Sequence, residues 1–188
     1  MIPPPSLSRK AAAAIRLLVL DVDGVMTDGR LHFGPRGETL KVFHVRDGFG
    51  IQQVRKAGIH VAVISGRRSP MVTARCRELG VRHVLQGEAD KLAAFERLRA
   101  RLDMPPSACA CVGDDSPDVP LMRKVGLAFA VADAHADARR VAHIVTSLAG
   151  GRGAVREVCD YLLSSRAQER VDPQRTKQVH HPKRTFGR

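Results

Sequence analysis

Short apolar, β-prone runs alternate with segments of helical pattern along this chain, and each run breaks off at a polar cluster. Residues 15–20, 59–64, 81–85, 108–112 and 127–131 read as strands, with a last short one at 143–146. Between and after them lie helical stretches at 48–56, from Ser69-Pro70 to Gly80, at 89–102, 134–141 and 154–163. Strands alternating with helices predict βαβ units, and hence a parallel sheet with helices on both faces. The expected fold is therefore α/β and Rossmann-like. Between Gly29 and Val45 two β-prone segments flank Gly34-Pro35-Arg36-Gly37, the signal of a small β-hairpin flap. No insertion is large enough to form a cap domain.

The strand ends carry the chemistry. The first run stops at Asp21, offers Asp23 two residues on, and continues Gly24-Val25-Met26-Thr27. The second ends in Ser65-Gly66-Arg67, and the fourth in Gly113-Asp114-Asp115-Ser116-Pro117-Asp118. In a parallel sheet these ends share one edge, where ligands of open α/β sheets bind. Carboxylates converging there repel one another, and a hard divalent cation relieves them. Oxygen donors without His or Cys favour Mg2+ over zinc. Magnesium commonly shares its site with a substrate phosphate, so Ser65 and Lys91 fit as donors to phosphoryl oxygens. Asp21 can then act as a nucleophile that becomes phosphorylated, with Asp23 within reach as the proton-transferring group. Blander readings stay open for several residues. Arg67 and Arg75 could be exposed helix charges, His44 a hairpin surface residue, and Asp118 a helix cap.

Composition narrows the class. At 188 residues, without Trp and with one Tyr, the chain suits a single domain with an aliphatic core. No apolar run approaches the length of a membrane span. The four cysteines lack metal-like spacing and read as reduced thiols in a cytoplasmic protein. The net charge of +12 is uneven, because residues 166–188 hold seven Lys/Arg against two Asp/Glu. The expected organisation is a flexible lead at 1–14, a catalytic domain at 15–163, and a basic, disordered tail at 164–188. A merely solvated tail is expected, with no nucleic-acid partner. A non-catalytic regulator that binds phosphate or polyanions stays as the alternative class.

Asp21-Val22-Asp23-Gly24-Val25-Met26-Thr27, Ser65-Gly66-Arg67, Lys91 and Gly113-Asp114-Asp115, in that order, resemble the four motifs of the haloacid dehalogenase superfamily of phosphohydrolases. Within it, residues 15–163 resemble the 3-deoxy-D-manno-octulosonate 8-phosphate phosphatase family. The phrases that carry this likeness are Phe43-His44-Val45-Arg46-Asp47-Gly48, Ser65-Gly66-Arg67-Arg68-Ser69, Gln86-Gly87 and Gly150-Gly151-Arg152-Gly153. The resemblance implies a phosphomonoesterase of lipopolysaccharide precursor synthesis that works through an aspartyl-phosphate. Asp21 would be nucleophile and metal ligand, and Asp23 acid/base with its carbonyl on the metal. Asp114 would complete the protein's coordination, supported by Asp115 and Asp118. Ser65 and Lys91 would hold the phosphoryl group. Thr27, Gly66, Arg67, Arg75 and the segment His44, Val45, Arg46, Asp47, Gly48 would contact the substrate together with Asp23 and Lys91. The resemblance further implies a homotetramer whose hairpin covers a neighbouring active site. A phosphatase for nine-carbon keto-sugar acid phosphates is the rival within the class.

Overall fold

The computed structural model describes residues 5–171. It realises the alternation as a six-stranded sheet, parallel throughout, in the order β5-β4-β1-β6-β7-β8. These strands are β1 (Leu17–Leu20), β4 (His60–Ser65), β5 (His83–Gln86), β6 (Cys109–Gly113), β7 (Leu127–Ala130) and β8 (Ile144–Val145). The chain starts in the middle at β1, moves outward through β4 and β5, then returns to the other side of β1 as β6. Direction therefore reverses between β1 and β6, and a crevice opens beyond the carboxyl ends of the strands at that point. Both strands are buried along their whole length. A strand covered on both faces needs apolar residues at every position, which is why these runs are continuous and do not alternate with polar residues.

The helices are α1 (Pro5–Ala13), α2 (Val45–Lys56), α3 (Pro70–Glu78), α4 (Lys91–Arg101), α5 (Val119–Met122), α6 (Ala136–Val141) and α7 (Ala154–Val171). α1 and α2 both pack on α7, whereas α4, α5 and α6 pack in succession on one another. Right-handed crossovers on either side of β1 place these two groups on opposite faces of the sheet. The core between them is aliphatic, with Phe95 and Phe129 as its largest side chains. All four cysteines are buried and free. Among the described residues no helix is long and apolar enough to cross a membrane.

The hairpin is β2 (His32–Gly34) and β3 (Gly37–Leu40), antiparallel and separate from the main sheet. Its turn closes on Gly37, whose φ of +105° only glycine adopts without strain. Two boundaries differ from the sequence reading. Residues 5–13 of the expected flexible lead form α1, whose Ala12 is buried and which packs on α7. At the other end α7 runs past residue 163 to Val171, and Arg166 donates a 2.8 Å hydrogen bond to the Ala57 carbonyl at the end of α2. The rest of the predicted basic tail, residues 172–188, lies outside the described residues.

Candidate active site

Asp21 is the first residue beyond β1, and its N–H still bonds to the Val112 carbonyl of β6 at 3.2 Å. That bond extends the ladder by one residue and fixes the carboxylate over the crevice. The chain then turns sharply, with the N–H groups of Val25, Met26 and Thr27 all directed at the Val22 carbonyl. Gly24 sits in this turn at φ +96°, and a Cβ there would lie 2.0 Å from Asp114 Oδ2. The missing side chain is therefore what admits Asp114, from the end of β6, to the first-strand loop. Asp118 reaches the same place from a 3-10 turn at Ser116–Asp118. Its Oδ2 accepts the Asp114 N–H at 3.0 Å and the Asp115 N–H at 3.3 Å.

Asp21, Asp114 and Asp118 each offer a carboxylate oxygen within 4.8 Å of the others. Lys91 Nζ lies 2.8 Å from Asp21 Oδ1 and 2.7 Å from Asp118 Oδ1. Lys91 is the first residue of α4, and the positive end of a helix is a poor place for a cation. The two carboxylates just named compensate it, while Asp90 caps the helix, its Oδ1 accepting the Ala93 N–H at 2.9 Å. Burial works against the Lys91 charge, but Asp21 and Asp118 outweigh it and hold its pKa above the usual lysine range. The acids stay under-compensated. Burial, then the charge of Asp118, raises Asp21 to about 6, with Lys91 pulling the other way. Burial, then the charges of Asp21 and Asp118, raises Asp114 to about 8. Three converging carboxylates with one ammonium among them are a donor set that fits a hard divalent cation.

Asp23 is not part of this carboxylate group. Its Oδ1 pairs closely with Lys41 Nζ, and its Oδ2 lies 3.6 Å from Arg67 Nε. Ser65, at the end of β4, is buried, and its Oγ accepts the Arg67 N–H at 3.3 Å. Gly66 follows it as an exposed residue.

The other predicted residues divide. Thr27 is buried, and its hydroxyl is engaged in its own loop, donating to the Val22 carbonyl and accepting from the Gly29 N–H. Asp115 faces solvent, where Oδ1 accepts the neighbouring Ser116 N–H at 2.7 Å. His44 caps α2 through Nδ1, which accepts the Arg46 N–H, while Val45 and Arg46 are exposed. Asp47 points inward, and its Oδ1 accepts the Arg156 N–H at 2.7 Å at the start of α7. A Cβ on Gly48 would lie 2.2 Å from Arg75 Nη2, so the α3 guanidinium rests on α2. Its ion pair is with Glu78 at 2.8 Å. The structure thus brings together Asp21, Lys91, Asp114 and Asp118, and beside them Asp23 and Arg67. Sequence reasoning missed Lys41 and Glu38. The only signal was a lysine inside a β-prone run, which by itself reads as a solvated edge.

A doubly wound sheet whose first strand delivers a buried carboxylate onto a lysine and two further acids defines the class, the haloacid dehalogenase-like hydrolases. A family model with that description matches residues 80–157. More narrowly, the chain belongs to the 3-deoxy-D-manno-octulosonate 8-phosphate phosphatase family. It is 52% identical over 161 residues to the phosphatase of that name from Escherichia coli K12, covering 86% of this chain and 85% of the relative. The crystal structure of the Yersinia pestis phosphatase superposes with a TM-score of 0.84 at 49% identity, covering 86% of this chain and 88% of that one. The Moraxella catarrhalis phosphatase, crystallised with magnesium, phosphate and a KDO molecule, gives 0.85 at 36% identity, over 93% of this chain and all of that one.

Proposed function

We propose that the protein is a Mg2+-dependent phosphomonoesterase that hydrolyses 3-deoxy-D-manno-octulosonate 8-phosphate to the free sugar acid and phosphate. It would act in the cytoplasm, in lipopolysaccharide precursor synthesis. The observation that carries this reading is the 2.8 Å approach of Lys91 to Asp21 inside a group of three carboxylates at the crevice. Family membership at about half identity supplies the substrate.

Asp21, Asp114 and the Asp23 carbonyl would hold the metal, with Asp118 in support, and the ion would supply charge neutralisation for the incoming phosphate dianion. Ser65 Oγ and Lys91 Nζ donate to phosphoryl oxygens, and Lys91 also keeps the Asp21 carboxylate in place. An Asp21 oxygen attacks phosphorus in line while the bond to the sugar oxygen breaks. Asp23 gives its proton to that leaving oxygen and is left as a carboxylate. The carboxylate then takes a proton from water as the water attacks the aspartyl-phosphate. Phosphate leaves, and both side chains return to their starting states. Arg67 and Arg75 would meet the acidic sugar, with the residues from His44 to Gly48 beside them. Leu31, Phe33, Leu40, Val42, Val45 and Phe49 leave the hairpin and the start of α2 with exposed apolar surface. That surface supports a homotetramer in which the hairpin covers a neighbour's site.

The test is phosphate release from a panel of eight- and nine-carbon keto-sugar acid phosphates, with Mg2+ and with chelator. We expect turnover of the eight-carbon substrate, abolished by chelator and reduced at least about 1,000-fold in Asp21→Asn. Preference for a nine-carbon substrate would overturn the substrate assignment. Full activity in Asp21→Asn would overturn the mechanism, and no phosphate release from any member of the panel would revive the non-catalytic alternative.

A further inference from the structure

Among the described residues the fold buries two lysines, Lys91 and Lys41. An ammonium leaves water only where partners replace its solvation, so a buried lysine asks for a reason. Lys91 has one in the phosphoryl site. Lys41 has no role in the reaction as derived above, yet its side chain is only 1% exposed.

Its partners are specific. Nζ pairs closely with Asp23 Oδ1 and lies 2.8 Å from Glu38 Oε1. Arg67 closes the figure, with Nε 3.6 Å from Asp23 Oδ2 and Nη2 3.5 Å from Glu38 Oε1. Two acids and two bases alternate in a ring. Glu38 lies on β3 and Lys41 just beyond it, so the hairpin contributes half the ring. Arg67 further ties the hairpin down by lying 5.8 Å from the centre of the Phe33 ring.

As a fastening for the hairpin this arrangement is inefficient. Desolvating a lysine and two carboxylates offsets most of their attraction, and apolar residues of similar size would hold as well. What the ring does achieve is to distinguish the two oxygens of Asp23. Oδ1 is taken by Lys41, whereas Oδ2 is buried with no hydrogen bond and only the Arg67 guanidinium at 3.6 Å. A proton-transferring carboxyl needs that asymmetry, with one oxygen anchored and the other with no hydrogen bond to break before it meets the reacting atom.

We propose that Lys41 is a positioning residue for Asp23. It anchors Oδ1 so that Oδ2 faces the leaving oxygen and then the attacking water, and Glu38 holds the ammonium in register. This rests on the acid/base role given to Asp23 above. It makes proton transfer conditional on a docked hairpin.

The experiment is a double-mutant cycle on the full chain with Mg2+, in which kcat, KM and inhibition by inorganic phosphate are measured for each variant. Lys41→Met is expected to lower kcat by about 10- to 100-fold while KM and phosphate inhibition stay within about threefold. Glu38→Gln is expected to lower kcat less. The decisive arm is Lys41→Met in an Asp23→Asn background, where the further loss should be under about twofold, because Lys41 then has no carboxylate to orient. A structural role would cost the same in both backgrounds. The proposal is overturned if Lys41→Met keeps kcat within twofold, or if the two losses multiply. Should Lys41→Met fail to fold, Lys41→Arg enters the same cycle under the same criterion. If Asp23→Asn alone keeps full turnover, the acid/base reading falls and this proposal with it. A fully active Lys41→Met beside an inactive Asp23→Asn removes this proposal alone.

Discussion

Gly24 shows how much of the site depends on an atom that is not there. Its φ of +96° is one that residues with a Cβ avoid, and the same Cβ would overlap the Asp114 carboxylate. On the other side of the loop Gly150 is equally constrained, since a Cβ there would lie 1.7 Å from the Gly24 carbonyl. Gly24→Ala should therefore displace Asp114 and cost about 1–3 kcal/mol in backbone strain. We expect at least a 100-fold loss in kcat/KM together with a lowered melting temperature, read by phosphate release and thermal unfolding. A fully active, equally stable alanine variant would show that the loop has room to spare. At this scale the sequence was informative wherever an acid ended an apolar run, as at Asp21 and Asp114. It left Asp118 open between site and helix cap, and gave Asp115 a supporting role beside it. Only the folded turn settles that pair, for Asp118 turns inward to accept two backbone N–H groups while Asp115 faces out.

The strands were legible because burial on both faces demands unbroken apolar runs, and their ends shifted only by small margins. α1 was missed for a physical reason. Its sequence follows two prolines, opens on a third and makes a weak helix by itself, so packing against α7 holds it. The segment from His44 to Gly48 forms the cap and first turn of α2, where Asp47 also caps α7 from within. No local pattern announces a partner 109 residues away. The hairpin was legible from its Gly/Pro turn, and its exposed apolar residues now give it a testable purpose. Phe33 is 63% exposed and Val42 58%. If these residues meet other copies of the chain, Phe33→Glu with Val42→Glu should convert a tetramer to smaller species in light scattering while secondary structure is kept. Identical masses for parent and variant would separate the hairpin from assembly.

The topology of the whole molecule creates the charge problem at its centre. Reversal of strand order between β1 and β6 brings Asp21 and Asp114 to one crevice, and Asp118 arrives with β6. Without a cation, burial first and then the charges of the neighbouring acids raise Asp21 to about 6 and Asp114 to about 8, from a usual carboxylate value near 3.8. The native protein then holds protons that the unfolded chain has released, so the stability these two groups contribute is greatest at low pH and falls as pH rises through these values. A divalent cation must displace the same protons, and its affinity should therefore increase with pH up to about 8. The melting temperature in chelator is expected to fall between pH 5 and pH 8, and Mg2+ to recover more at pH 8 than at pH 5. In Asp114→Asn both slopes should flatten, because the most strongly raised group is gone. A chelated parent protein that instead gains stability over this range, more so than Asp114→Asn, would mean that the three carboxylates are already compensated by the fold and call for no metal.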